Sequence, residues 1–181
     1  LLMNSLDKGS GCMANNVYST ITLHTKNHEV ESKFIESFEF LEDMGETSLE
    51  YMDIFNTNIE IADGDFFDEF IGPRVAHVTG HMGTEVEIES AWMSPNKFFE
   101  ILCEEMARID EDVTLTMKYE DEYYNFAGVY IWSFGELEQR EESGGWFKEQ
   151  QDSLGRDPSD FQEFVTEQLE EWESEWLTKL C

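Results

Sequence analysis

The chain has 181 residues, of which 41 are acidic and 11 basic, for a formal net charge of −30. That charge repels nucleic acid and anionic membranes, whose binding needs Lys and Arg to displace counterions. Hydrophobic residues at 40% and aromatics at 14% are enough for a core, which excludes a disordered acidic chain, and no apolar run approaches the ~18 residues of a membrane span.

Residues 1–12 differ from the rest of the chain. They carry a turn-like Lys8-Gly9-Ser10-Gly11 run, show no helix or strand period, and lack the basic start and apolar core of a secretory signal. Lys8-Gly9-Ser10 is encodable by a purine-rich stretch ending two codons before Met13, like a bacterial ribosome-binding site read in frame. The expectation is that 1–12 is an upstream extension or expression scar and that the natural start is Met13. Cys12, Cys103 and Cys181 are odd in number and widely spaced, which points to reduced thiols in a cytosol.

From residue 16 the pattern becomes regular. Val17, Ser19, Ile21 and Leu23 alternate with Tyr18, Thr20, Thr22 and His24, predicting a half-buried strand. Val30, Phe34, Phe38 and Leu41 then form one helical stripe, with Asn27 placed to cap its start and Gly45 to end it. Residues 46–72 are less regular, with a short amphipathic helix expected around "GDFFDEFIG". After Pro73, "RVAHVTGH" and "GTEVEIESAW" read as two strands joined through His81-Met82-Gly83. Ser94-Pro95 is a helix-start signal, followed by the stripe Phe98, Phe99, Leu102, Met106 and Ile109. Val113, Leu115, Met117 and Tyr119 predict a fourth strand. "YYNFAGVYIW" predicts a fifth, with Gly128 at a bulge or close approach. A loop at Gly144-Gly145 leads to a last helix opened by Asp157-Pro158 and lined by Phe161, Val165, Leu169, Trp172, Trp176 and Leu180.

The core order is strand, helix, strand, strand, helix, strand. This is the split βαββαβ arrangement of a ferredoxin-like α+β sandwich, with an antiparallel sheet covered by two helices on one face. The expected division is residues 1–12, a ferredoxin-like domain over 13–135, and an acidic C-terminal helical appendage over 136–181 that packs on it. An extra strand and the last helix are placed to cover part of the open face.

"MANNVYSTITLH", "SAWMSPNKFFEIL" and "YEDEYYNFAGVYIW" together resemble the ferredoxin-like domain of the Api-ninety-two-like family, carried by phages and plasmids. In that family an Asn-containing first strand, an S/T-A-W-S-P-P box and a Y-E-x-x-x-x-F-A-G box recur. This chain has Asn15-Asn16, Ser90-Ala91-Trp92-Met93-Ser94-Pro95, and Tyr119-Glu120 with Phe126-Ala127-Gly128; it inserts Met93 and lacks the second proline. The resemblance covers residues 13–132. It implies a ferredoxin-like fold and a mobile-element origin, and it brings no catalytic residues with it.

Nothing in the chain points positively to an enzyme. His77 and His81 with Glu85 and Glu87 would suit a metal only on a helix, and the local pattern is strand and turn. Asp63-Gly64-Asp65 with Asp68-Glu69 lacks the spacing and distal Glu of an EF-hand. Gly80-His81-Met82-Gly83 lacks the Lys and following helix of a phosphate loop. Cys103 lies on an apolar stripe, and there is no Ser/His/Asp signature. The expectation is no catalytic residue, no metal and no cofactor. RNA-recognition domains share the βαββαβ topology but need basic and aromatic residues on the open sheet. Here the third strand offers Glu85, Glu87 and Glu89, which speaks against nucleic acid as the partner.

The acids cluster. Residues 42–71 hold ten acids and no Lys or Arg, and residues 136–181 hold fourteen acids and four bases. Glu163, Glu167 and Glu171 stack at i, i+4 beside Glu170, Glu173 and Glu175, an arrangement that destabilises a helix by a few tenths of a kcal/mol per pair. Glu85, Glu87 and Glu89 advance about 6.6–6.8 Å per step, comparable to the pitch of phosphates along a nucleic-acid strand. The first functional reading is an inhibitory DNA mimic in a bacterial host cytoplasm. It would occupy the basic groove of a nuclease, restriction or defence factor, nucleoid protein or polymerase. Glu85, Glu87, Glu89, Glu163, Glu167, Glu170, Glu171, Asp63, Asp65 and Asp68 would form the acidic surface. The second is a non-mimic accessory module, compatible with a homodimer, whose acidity serves solubility or salt adaptation.

Overall fold

The computed structural model describes residues 15–53, 70–73 and 75–179. The first strand, β1 (Asn16–His24), buries Val17, Ser19, Ile21 and Leu23 and turns the alternate residues outward. Helix α1 (His28–Met44) starts where the Asn27 side chain accepts the Glu29 amide, and it ends at Gly45 with φ 70°, a left-handed cap that suits glycine. Its buried face is Val30, Phe34, Phe38 and Leu41, as the stripe predicts, plus Ser37, whose hydroxyl donates back to Lys33 O. A short 3-10 turn follows at Leu49–Tyr51. The expected helix at 64–72 falls largely outside the described residues.

Strands β2 (Ala76–Met82) and β3 (Glu85–Ala91) form the expected hairpin. Helix α2 (Asn96–Ala107) buries Phe98, Phe99, Leu102, Cys103 and Met106. Its start corrects the sequence expectation: Ser94 makes no capping hydrogen bond and the helix begins at Asn96. Ser94 is instead buried. Strands β4 (Thr114–Asp121) and β5 (Phe126–Ser133) complete the predicted set.

The tail departs from the helical appendage expected for 136–181. Residues Glu136–Ser143 form a sixth strand, β6, which pairs with β5, so position 135/136 lies inside a β-hairpin. Helix α3 (Gly144–Ser153) occupies the expected loop. A 3-10 turn capped by Asp157 leads into α4 (Phe161–Lys179).

All strand pairs are antiparallel, in the order β2-β3-β1-β4-β5-β6. With helices segregated on its faces, this sheet makes the chain an α+β protein. Helices α1 and α2 pack with Val17, Ile21, Val86, Ile88, Leu115 and Met117 in one core. A second core lies on the opposite face, where Ala127, Val129 and Ile131 of β5 meet Phe147 of α3 and Phe164, Val165, Leu169 and Trp172 of α4. Phe164 is absent from the predicted stripe. Among the described residues no helix is long and apolar enough to cross a membrane.

Candidate functional site

The second face of the sheet is covered unequally. Helix α4 lies over β4 and β5. Glu85, Glu87 and Glu89 project from β3 on the uncovered half, while Val86 and Ile88 between them are buried under α1 and α2. Strand β3 is interior, paired to β2 and β1, so the carboxylates rise from the sheet surface rather than from an edge.

Cross-strand register sets their neighbours. Glu89 stands opposite Tyr18 and His77, Glu87 opposite Thr20 and Gly80, and Glu85 opposite Thr22 and Met82. Across β1, Tyr18 is opposite Glu120 and Thr20 opposite Lys118. Tyr18 is thus flanked by a carboxylate on each neighbouring strand. A Cβ on Gly80 would lie 2.7 Å from the Glu87 carboxylate, so the glycine makes room for that side chain. His81 pairs with Val86 on the other face and packs on Phe38 at 5.6 Å. The two histidines therefore point apart, and no group able to hold a metal occurs among the described residues.

Where α4 meets the open half-sheet there is a groove of about 440 Å³. Its floor includes Tyr18, Thr20 and Lys118, its strand wall Glu85 and Glu87, and its helix wall Thr166 and Leu169. Among the described residues of the lining Lys118 is the one Lys or Arg, and it is engaged: its Nζ lies 2.9 Å from Glu173 Oε2. Glu173 also accepts from Thr116 and has His24 Nε2 at 3.9 Å. Burial opposes its ionisation, but His24, Thr116 and Lys118 outweigh burial and hold the carboxyl down at about 2. The Glu120 side chain makes no hydrogen bond or ion pair among the described residues, and burial pushes its carboxyl up. Beside it, burial first and then Glu120 and Tyr18 push the Tyr124 phenol up to about 12.

The α4 acids divide. Glu163 and Glu170 lie three before and four after Thr166, hence on the same flank of the helix and next to the groove. Glu167 is paired with Arg156, and Glu171 accepts from Gln168 at 2.9 Å. On the far flank Arg140 lies 4.1 Å over the Trp172 ring and 3.8 Å from Glu175. Arg140 and Arg156 are thus engaged by groups outside the groove lining. Asp63, Asp65 and Asp68 lie outside the described residues. Acids are also exposed on α1, at Glu29, Glu36, Glu39 and Glu42, so negative charge is not confined to one face.

The sequence places Tyr18 on the open face as a ring able to stack, but reads Trp92 as a packing residue, and the structure exposes both. Tyr18 is 43% exposed and Trp92 56%. Trp92 also has φ 74°, its N–H donating to Asn15 O at 2.7 Å. Asp121 is buried nearby and accepts from Asn15, from the Asn125 side chain at 2.6 Å and from the Asn125 amide at 2.8 Å. The asparagine at the start of β1 thus fixes the sheet end from which Tyr18 projects.

These features define a class: an α+β protein with a half-covered antiparallel sheet and an acidic groove beside its last helix. Compared with known proteins, the chain matches no family model, no curated protein and no solved structure.

Proposed function

We propose that the chain binds a basic, nucleic-acid-binding protein through the open half of its sheet and inhibits it by DNA mimicry. The observation that carries this reading is the row Glu85, Glu87 and Glu89 on the outward face of an interior strand, with no helix above it among the described residues. The strand repeat of about 6.6–6.8 Å spaces these carboxylates like backbone phosphates. Glu163 and Glu170 extend the negative surface onto the helix flank. No catalytic group, metal or cofactor takes part.

Within this reading β1 to β4 with α1 and α2 form a ferredoxin-like unit, supported by the strand order β2-β3-β1-β4. The resemblance of residues 13–132 to the Api-ninety-two-like ferredoxin-like domain supports a phage or plasmid origin. The site of action is then a bacterial cytoplasm, and the partner a host nuclease, defence factor, nucleoid protein or polymerase.

The test is capture of partners from bacterial lysate on the immobilised chain, eluted with rising salt and competed with duplex DNA. Basic DNA-binding proteins released by both are the expected result. Partners that are not basic, or that DNA leaves bound, overturn the mimicry. The exposed acids of α1 favour a second reading, an accessory module whose charge serves solubility. It predicts partners that survive high salt.

A further inference from the structure

Resting on that reading, the structure allows the contacting chemistry of the partner to be named more closely. Tyr18 offers a partly exposed ring on the groove floor, with Glu89 directly across β3 and Glu120 directly across β4. Directly opposed residues have Cβ atoms about 4.5–5.5 Å apart, so the carboxylates stand on both sides of one aromatic face. A planar guanidinium fits this arrangement in a way an ammonium does not. It stacks on the ring while its edge N–H groups reach outward to carboxylates.

The next step along the groove is Thr20 opposite Glu87, and beyond it Thr22 opposite Glu85. Carboxylates therefore recur at the two-residue strand pitch, the same pitch at which an extended peptide presents alternate side chains. Lys118, which would repel such a peptide, is neutralised by Glu173. Glu120 has no cation of its own among the described residues.

We propose that the groove between α4 and β3 receives an extended, arginine-bearing segment of the partner protein. One guanidinium lies on Tyr18 between Glu89 and Glu120, and the next cationic side chain sits against Glu87. The specificity is for arginine on a peptide, not for positive charge in general.

The test uses the full chain and two synthetic peptides of equal length and charge, one alternating Arg-Ser and one alternating Lys-Ser, with spermidine as a free polycation. Affinity is read by titration calorimetry and the site by backbone amide shifts. The Arg-Ser peptide should bind about two- to fivefold more tightly than the Lys-Ser peptide, because the guanidinium alone stacks flat on the ring while its N–H groups reach the carboxylates on either side. The largest shifts should fall on Tyr18, Thr20 and Thr166. Tyr18→Leu should bring the two peptides to equal affinity, and Tyr18→Phe should restore the difference. Equal affinities in the unmodified chain, spermidine binding as tightly as the Arg-Ser peptide, no peptide binding, or shifts centred on α1 would each overturn the proposal. Its failure is distinct from failure of the DNA-mimic reading, which rests on competition by duplex DNA for a captured protein.

Discussion

Glu173 on α4 and Lys118 on β4 meet at 2.9 Å across the boundary between the covered and the open half of the sheet. Leu169 and Trp172 supply the apolar contact of the helix nearby, while this pair, with Thr116 and His24, fixes the helix against β4. A partly buried ion pair costs desolvation, so removing one partner costs more than the pair contributes.

Glu173→Gln is expected to destabilise the fold by about 1–3 kcal/mol, since it leaves the Lys118 ammonium without its counter-charge. The effect has a pH signature. The folded carboxyl is held at about 2, below the usual 4.5, so its stabilisation is complete above the unfolded value and is lost as pH falls through the folded one. Urea unfolding of both proteins between about pH 6 and pH 2 should show the difference shrinking as pH falls. A difference that stays constant over that range would count against the ion pair.

Changing Glu85, Glu87 and Glu89 together to Gln should leave folding intact, because the three side chains stand on the outward face of β3. With so large a net negative charge, the thermal midpoint should stay level or rise. Binding to a captured basic partner should fall about tenfold at low ionic strength, on the order of 0.5 kcal/mol per charge. Its dependence on salt should flatten as well. Surface plasmon resonance at several salt concentrations measures both effects.

Gly128→Ala should be costly. An added Cβ would lie 2.4 Å from the Tyr119 hydroxyl and 2.7 Å from the Arg140 carbonyl. Tyr119 has little room to yield, since its hydroxyl donates to Glu141 at 2.7 Å and accepts from Gln139 at 2.8 Å. Overpacking of this kind typically costs about 1–3 kcal/mol. Thermal unfolding with no loss of midpoint would show that β6 shifts freely to accommodate the methyl group.

Trp92→Gly should act in the opposite direction from most tryptophan losses. The residue holds φ 74° and is more than half exposed, so glycine relieves backbone strain of order 1 kcal/mol while surrendering little burial. We expect the thermal midpoint to hold or rise. A fall of several degrees would mean that the ring packs more tightly than its exposure indicates.

Much of the main sheet and its first two helices was legible because these elements obey simple periods. Strands β1 and β3 alternate cleanly, α1 carries a cap at each end, and the row Glu85, Glu87 and Glu89 falls on the face that alternation assigns. Strand β6 was not legible. Its sequence, Glu136 to Ser143, is polar on both faces apart from Leu137 and so carries no hydrophobic alternation. It is an edge strand, where charged side chains discourage pairing with a further chain. What places it is the turn at Phe134-Gly135, with φ 52° and 77°, together with the pairing offered by β5. Missing β6 also hid α3, and with it the reason Phe164 is buried. Ser94 misled because a hydroxyl before Pro95 reads as a cap, whereas here the side chain is buried and the helix starts at Asn96. The groove was invisible to sequence reasoning, since it exists only where Thr166 and Leu169 of α4 come to lie beside Tyr18, Glu85 and Glu87 of the sheet.

Strand β5 faces both cores: Tyr130 and Trp132 contribute to one, and Ala127, Val129 and Ile131 to the other. Undocking of α4 would therefore wet the back of the same strand whose front supports α2. Opening of the C-terminal helices should loosen β5 amides along with their own. In hydrogen exchange, protection in α4 and in β5 should then rise and fall together, making this strand the hinge of cooperativity for the whole molecule.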